Sequence, residues 1–234
     1  MILNIDALTA GYGESIILRD LSFGIGESEI VTILGRNGSG RSTTCKAIMG
    51  LLPKRGRVTL HGADITTLQP HQIAVAGVGY VPEERQTFKK LTVEENLILG
   101  IKPSRDGRPG WKIEELYDLF PRLRERRNVP AGNLSGGEQQ MLTMFRSMLG
   151  NPTVLLVDEP TEGLAPMIVE RVRETLLELK RRGTSILLLE QKLAMALDIA
   201  DRVLVMGHGH IVFSGTVAEF HADGDVRRKW LEVA

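Results

Sequence analysis

GRNGSGRST, at residues 35–43, is the stretch that decides how the centre of the chain folds. It fits the phosphate-binding pattern G-x-x-x-x-G-K-[ST] at every position but one, because Arg41 stands where the pattern has lysine. Gly38 and Gly40 permit backbone amides to converge on phosphate oxygens at the start of a helix, where the helix dipole favours anions. The stretch therefore predicts a strand, an anion-binding loop and a helix in that order. Its arginine leaves open whether the loop splits a nucleoside triphosphate or only binds it.

The segments around this loop predict an α/β fold with a parallel core sheet. Short runs of Ile, Val and Leu alternate with amphipathic stretches, the order expected of parallel strands covered by helices. A buried strand is predicted at 29–35, before the loop, and a helix at 41–52, after it. A second helix, at 165–183, is predicted to pack on the sheet. Further central strands are predicted at 77–81, 153–159 and 184–190.

Two kinds of segment lie outside this predicted core. The stretches at 56–62 and 202–215 have the pattern of hairpins and predict a flanking antiparallel sheet. Between 87 and 150, strand signals give way to helix signals, beginning with Thr92 and Glu95 in a capping-box arrangement. We therefore expect residues 1–234 to form a single domain, with a helical subdomain at about 87–150.

Charge and hydropathy restrict the classes of partner. The 234 residues include 29 basic and 29 acidic ones, so no overall field favours nucleic acid, and no nucleic-acid partner is expected. No apolar run reaches the roughly 18 residues that a bilayer span needs. We expect the chain itself not to cross a membrane.

A second chemical signal is the acidic end of a predicted strand, TVLLVDEP at 153–160. Asp158 can present a carboxylate to the shell of a Mg²⁺ ion, for which Ser42 in the loop is also placed. Glu159, one residue later, can act on a water that attacks the γ-phosphate. Taken alone, the same residues are also compatible with a solvated acidic turn.

A third signal is NLSGGEQQ, at residues 133–140. Its two glycines expose backbone amides and Ser135 offers a hydroxyl, which indicates a second anion site. A helix start capped by Ser135 is the simpler alternative.

In this order and spacing, GRNGSGRST, LSGGEQQ and VLLVDEP resemble the ATPase subunits of ABC transporters. IAVAGVGYVPEERQTF, LTVEENL and DEPTEGLAP narrow the resemblance to the subunits of branched-chain amino-acid importers. The resemblance covers nearly the whole chain. It implies a P-loop NTPase fold that uses ATP and Mg²⁺, on the cytoplasmic face of the inner (plasma) membrane, together with integral membrane permease subunits. It also implies a head-to-tail dimer with a second ATPase subunit, which is either the same chain or a related one.

The resemblance also assigns roles to individual residues. It implies that Tyr12 stacks on adenine, that Glu83 joins Ser42 and Asp158 around the metal, and that Gln191 acts with Glu159 in catalysis. The residues expected to bind this subunit's own ATP are Tyr12, Gly35, Arg36, Asn37, Gly38, Ser39, Gly40, Arg41, Ser42 and Thr43. The residues expected to contact the ATP of the partner subunit are Ser135, Gly136 and Gly137.

Arg41 is a departure from the branched-chain family, which normally keeps lysine. We expect the amide cradle to hold ATP more weakly and hydrolysis to fall most. The leading hypothesis is an importer ATPase for branched-chain amino acids or a related small solute. The alternative is a hydrolysis-impaired subunit that completes an asymmetric ATPase dimer. Chromosome-associated and translation-associated ATPases share these motifs, but the former place long coiled-coil arms between them and the latter carry two such units in one chain.

Overall fold

The computed structural model describes residues 1–103 and 109–231 of the chain. Its strands are β1 Leu3–Tyr12, β2 Ser15–Ile25, β3 Ile30–Gly35, β4 Lys54–Leu60, β5 Ala63–Asp64, β6 Val78–Val81, β7 Val154–Asp158, β8 Ser185–Glu190, β9 Arg202–Gly207 and β10 His210–Thr216. Its helices are α1 Arg41–Ile48, α2 Pro70–Ala76, α3 Val93–Ile98, α4 Ile113–Leu119, α5 Pro121–Glu125, α6 Gly136–Met148, α7 Pro166–Arg181, α8 Leu193–Ile199, α9 Val217–Ala222 and α10 Gly224–Trp230. A short 3₁₀ turn, Ala131–Asn133, precedes α6.

The central sheet confirms the predicted α/β class. Its strand order in the described chain is β10-β9-β3-β8-β7-β6, and every neighbouring pair is parallel except β9 and β10. All residues of β3, β7 and β8 are buried. Because other layers cover both faces of a parallel sheet, such strands are continuous apolar runs rather than alternating ones. The four strands predicted to form the centre are adjacent in this order.

The second sheet is antiparallel, with the order β2-β1-β4-β5. The predicted hairpin at 56–62 lies in it, as the connection of β4 to β5. The prediction that the hairpin at 202–215 also belongs to a flanking antiparallel sheet is wrong, because β9 and β10 form the edge of the central sheet. Strand β9 pairs in parallel with β3, and its residues 203–206 are buried, so β10 forms this edge of the sheet, opposite β6.

The described elements between β6 and β7 are helical. Thr92 caps α3, since its hydroxyl accepts from the Glu95 amide at 3.2 Å and the Glu95 carboxylate accepts from the Thr92 amide at 2.7 Å. This confirms the predicted capping box. No helix within the described ranges has the length and apolar character needed to cross a bilayer.

The phosphate-type loop follows β3, a fully buried strand of the central sheet. Side chains of β3 alternate between two hydrophobic clusters, with Ile30 and Leu34 in one and Val31 and Ile33 in the other. The helix after the loop, α1, ends at Ile48 rather than at residue 52, because Gly50 turns the chain with a φ of 71°. The loop is therefore anchored in a strand that is packed on both faces.

Candidate functional site

The loop between β3 and α1 has the geometry of an anion-binding turn. Gly38 and Gly40 adopt φ angles of 79° and 112°, and Gly40 is the residue that precedes α1. A β-carbon on Gly35 would lie 2.6 Å from Ser39 Oγ and 2.7 Å from the carbonyl oxygen of Met206. Glycine is thus required where β3 enters the loop, and positive φ favours it at the two later positions. The amides at the start of α1 remain without helical partners and are available to a ligand.

Asp158 lies at the end of β7 and contacts the first turn of α1. Its Oδ1 accepts a hydrogen bond from Ser42 Oγ at 3.0 Å, and its Oδ2 accepts one from the Tyr80 hydroxyl at 3.3 Å. Burial raises the pKa of Asp158 to about 6, the bond from Ser42 opposes this shift, and the charges of Glu83 and Glu159 add to it. Within the described part of the chain, no three acidic, histidine or cysteine side chains are close enough to form a metal site by themselves. Asp158 and Ser42 nevertheless offer two adjacent oxygen ligands of the kind that Mg²⁺ prefers, and a bound nucleotide would have to supply others.

Glu159 follows β7 in a left-handed conformation with a φ of 44°. Its amide donates to the Leu189 carbonyl at 2.9 Å, which fixes this turn against β8. Its carboxylate accepts a hydrogen bond from Nη2 of Arg41, so the loop arginine and the predicted catalytic carboxylate form an ion pair. The two side chains are only 4% and 10% exposed, and the pair is therefore poorly screened by solvent.

The remaining donors of Arg41 fit an anion. Its Nη2 also donates to Asn37 Oδ1 at 3.3 Å. Among the described residues, neither Nε nor Nη1 of this buried side chain has an acceptor, and the same holds for Ser39 Oγ. Buried donors normally have partners. Phosphate oxygens are acceptors that a guanidinium can bind in pairs, so these side chains fit a phosphorylated ligand.

A pocket of about 400 Å³ brings most of the predicted site residues together. Its lining residues are Tyr12, Ile17, Arg36, Asn37, Gly38, Ser39, Gly40, Arg41, Ser42, Thr43, Glu83, Glu159, Glu162 and Gln191. Tyr12 is 47% exposed at the surface of the pocket, where its ring is accessible. Gly35 and Asp158 are not lining residues, but they hold the loop and Ser42 from behind.

The segment with Ser135, Gly136 and Gly137 does not line this pocket. Ser135 caps α6, because its hydroxyl accepts from the Glu138 amide at 3.3 Å and Glu138 Oε2 accepts from the Ser135 amide at 2.8 Å. In the single chain this segment is therefore a helix start capped by Ser135, the simpler of the two interpretations of the sequence. Arg126 also contacts the buried Glu138 carboxylate, at 3.2 Å.

Sequence reasoning missed several residues of the site. Tyr80 contacts Asp158, and Ile17 and Glu162 line the pocket. Tyr80 lies near the end of β6, which pairs in parallel with β7. The carboxyl ends of parallel strands meet at one edge of a sheet, and this rule could have indicated Tyr80. Ile17 comes from a strand that the sequence analysis did not predict, and no motif marks it.

Comparison with known proteins gives the same family from sequence and from structure. A profile described as ABC transporter matches residues 18–162. The chain is 37% identical over 230 residues to the high-affinity branched-chain amino acid transport ATP-binding protein BraG of Pseudomonas aeruginosa, covering 98% of this chain and 99% of that protein. It is 32% identical over 234 residues to the lipopolysaccharide export system ATP-binding protein LptB of Haemophilus influenzae, covering 98% and 97%.

Among solved structures, the fold is similar to that of an ATP-binding cassette of an ABC transporter in its ADP conformation. The TM-score is 0.82, the sequence identity is 28%, and 97% of each chain is covered.

The ion pair predicts how the nucleotide-free chain responds to loss of one charge. We expect Glu159→Gln to lower the free energy of unfolding by about 1 to 3 kcal/mol, because Arg41 then stays buried without its anionic partner. Urea unfolding without nucleotide measures this. Glu162→Gln is the matched control, since Glu162 lies in the same pocket but is exposed, and it should change the value by less than about 0.5 kcal/mol. Equal stability of the two variants would contradict a stabilising ion pair.

Proposed function

The chain belongs to the ABC transporter family as an ATP-binding, ATP-hydrolysing subunit, and we propose that it drives an importer of branched-chain amino acids or a related small solute. One observation carries the assignment of the site. The phosphate-type loop, Glu159 and Gln191 line a single pocket, and Asp158 holds Ser42 behind it. Similarity to BraG along almost the whole chain supports the choice of solute class.

In this proposal, each group of residues has one task. The loop amides of 35–43 and the cation of Arg41 hold the triphosphate, and the ring of Tyr12 stacks on adenine. Ser42, Asp158 and Glu83 would hold Mg²⁺, which would neutralise negative charge on the phosphates when bound. Glu159 would take the proton of the attacking water, and Gln191, which lines the same pocket, would act beside the γ-phosphate.

Because Arg41 is paired with Glu159, this site requires a step in which the arginine leaves the carboxylate, and a loop with lysine requires it less. A carboxylate that accepts from a guanidinium is stabilised as the anion and is a weaker base. Catalysis by Glu159 therefore requires Arg41 to leave it for the phosphate oxygens. The planar fork of arginine can bridge two acceptors at once, so it can keep its bond to the carboxylate while it binds phosphate. The compact ammonium of lysine is less suited to bridging, so a lysine loop depends less on this displacement.

A second subunit completes the site in this proposal. Ser135, Gly136 and Gly137 lie at the start of α6, away from the lining of the pocket. In a head-to-tail dimer they would contact the ATP of the partner subunit, where the positive end of the α6 dipole favours the γ-phosphate. The partner is either the same chain or a related ATPase.

A groove provides a docking surface for the permease. It has a volume of about 470 Å³ and lies between the central sheet and the helical segment, with Tyr80, Phe88, Leu99 and Arg146 among its lining residues. Phe88 and Leu99 are 52% and 56% exposed. Exposed apolar side chains grouped in one groove favour an interaction site. We assign it to a cytoplasmic segment of an integral membrane permease, which would hold the chain at the cytoplasmic face of the inner membrane.

A second candidate function follows from the ion pair. If ATP does not displace Arg41 from Glu159, the chain binds nucleotide and presents its α6 segment to a partner that alone hydrolyses ATP. This is a hydrolysis-impaired subunit in an asymmetric dimer. Measuring hydrolysis at this chain's own loop separates the two functions.

We expect the chain to co-purify with an integral membrane protein when it is extracted from membranes in detergent. Leu99→Asp should reduce the recovered permease at least about tenfold, because a carboxylate replaces apolar surface in the groove. Met167→Asp is the control, since Met167 is 73% exposed and does not line the groove. Recovery with nucleic acid or ribosomes alone would contradict the transport assignment. An equal loss of permease in both variants would contradict the assignment of the groove as its docking surface.

We expect Arg41→Lys to raise phosphate release about tenfold or more while changing ATP affinity less. A well-placed donor of transition-state charge is worth about 10²- to 10³-fold in rate, and lysine also releases Glu159 from the fork. Steady-state phosphate release and ATP binding are measured in the complex, after the partner's own catalytic glutamate is neutralised.

Two controls test the cause of that increase. Arg57→Lys makes the same exchange at an exposed position in β4 and should leave the rate unchanged. Arg41→Lys combined with Glu159→Gln should show no increase, because the base is absent. Equal rates for the unaltered chain and Arg41→Lys would show that arginine serves as well as lysine.

A further inference from the structure

The buried carboxylate of Glu190 joins two loops that border the pocket. It ends β8 and is 2% exposed. Its Oε1 accepts from the hydroxyl of Thr161 and from the Thr161 amide, the latter at 3.3 Å. Its Oε2 accepts from the amides of Gln191 and Lys192, each at 3.0 Å. One side chain therefore receives four hydrogen bonds from two separate segments.

The two segments carry the proposed catalytic side chains. Thr161 lies two residues after Glu159, and Gln191 directly follows Glu190. The Nζ of Lys192 donates to the Thr161 carbonyl at 3.2 Å, which adds a second link between the segments. Burial raises the pKa of Glu190, and the hydrogen bonds from Thr161, Lys192 and Gln191 counter that shift. A buried carboxylate with this many donors fixes their relative positions, since each unmade bond leaves a buried polar group without a partner.

We propose that Glu190 is a positioning residue that sets the distance between Gln191 and Glu159 across the pocket. The inference rests on the proposed function, in which those two side chains act on the γ-phosphate. Glu190 itself does not line the pocket and would not touch the nucleotide. It acts through the Thr161 loop on one side and the Gln191 turn on the other.

The prediction follows from the sensitivity of catalysis to geometry. A displacement of about 1 Å at a reacting group can cost on the order of 10²-fold in rate. ATP binding depends mainly on the phosphate-type loop, which Glu190 does not contact in the described residues. Loosening the link should therefore lower kcat on the order of tenfold and leave KM within about twofold.

Thr161→Val tests this with little change of volume, because it removes the hydroxyl donor and keeps the branched shape. Thr161→Ser keeps the hydroxyl and should restore most of kcat. Thr32→Val is the matched control, since Thr32 is also fully buried and its hydroxyl has no hydrogen-bond partner among the described residues. Phosphate release is measured on the assembled complex, with the partner's catalytic glutamate neutralised.

Hydrogen exchange supplies a readout that does not depend on hydrolysis. The amides of Thr161, Gln191 and Lys192 should exchange faster in Thr161→Val than in Thr32→Val, because all three donate to Glu190. A loss of kcat and of amide protection in Thr161→Val, with rescue by serine, supports the proposal. A Thr161→Val variant that matches Thr32→Val in kcat and in exchange overturns it. Absence of hydrolysis in the unaltered complex refutes the proposed function instead, and the exchange comparison then still tests whether Glu190 holds the two segments together.

Discussion

The parallel pairing of β3, β8 and β7 is the constraint on which the site depends. In this order, Leu34 is paired with Glu190 and Asp158 with Leu189, so the carboxyl ends of three strands reach one edge of the sheet together. The phosphate-type loop, the acidic turn and the Gln191 turn follow these ends directly. Each strand is packed between two hydrophobic clusters, and side chains from distant parts of the sequence meet at this edge.

The meeting of Arg41 with Glu159 follows from this arrangement. The two residues are 118 positions apart in the sequence. Arg41 follows the loop after β3 and Glu159 directly follows β7, so both lie at the same edge of the sheet. The ion pair satisfies one nitrogen of the guanidinium and leaves Nε and Nη1 buried without acceptors. The Arg41–Glu159 pair is therefore neutral as a whole, whereas the hydrogen-bond donors of the guanidinium are not all satisfied. A triphosphate can supply the missing acceptors, and its negative charge then competes with Glu159 for the same cation.

The sequence predicts the features that depend on local pattern. Continuous apolar runs identify the central strands, and the glycines of 35–43 identify the loop. Strand β1 was missed because its alternation is interrupted at Ala7, where φ is 47° and the pairing with β2 shifts register. The hairpin at 202–215 was assigned to the wrong sheet because a hairpin pattern does not specify which neighbour its strands pair with. Similarly, the contacts Arg41–Glu159 and Thr161–Glu190 depend on strand order, which periodicity does not contain.

We expect nucleotide to draw Arg41 away from Glu159, and a structure of the assembled complex with a non-hydrolysable ATP analogue and Mg²⁺ would show whether it does. We expect the Arg41 guanidinium to donate to phosphate oxygens in that complex and its ion pair with Glu159 to be broken. An analogue held in the pocket while Arg41 remains paired with Glu159 would contradict the claim.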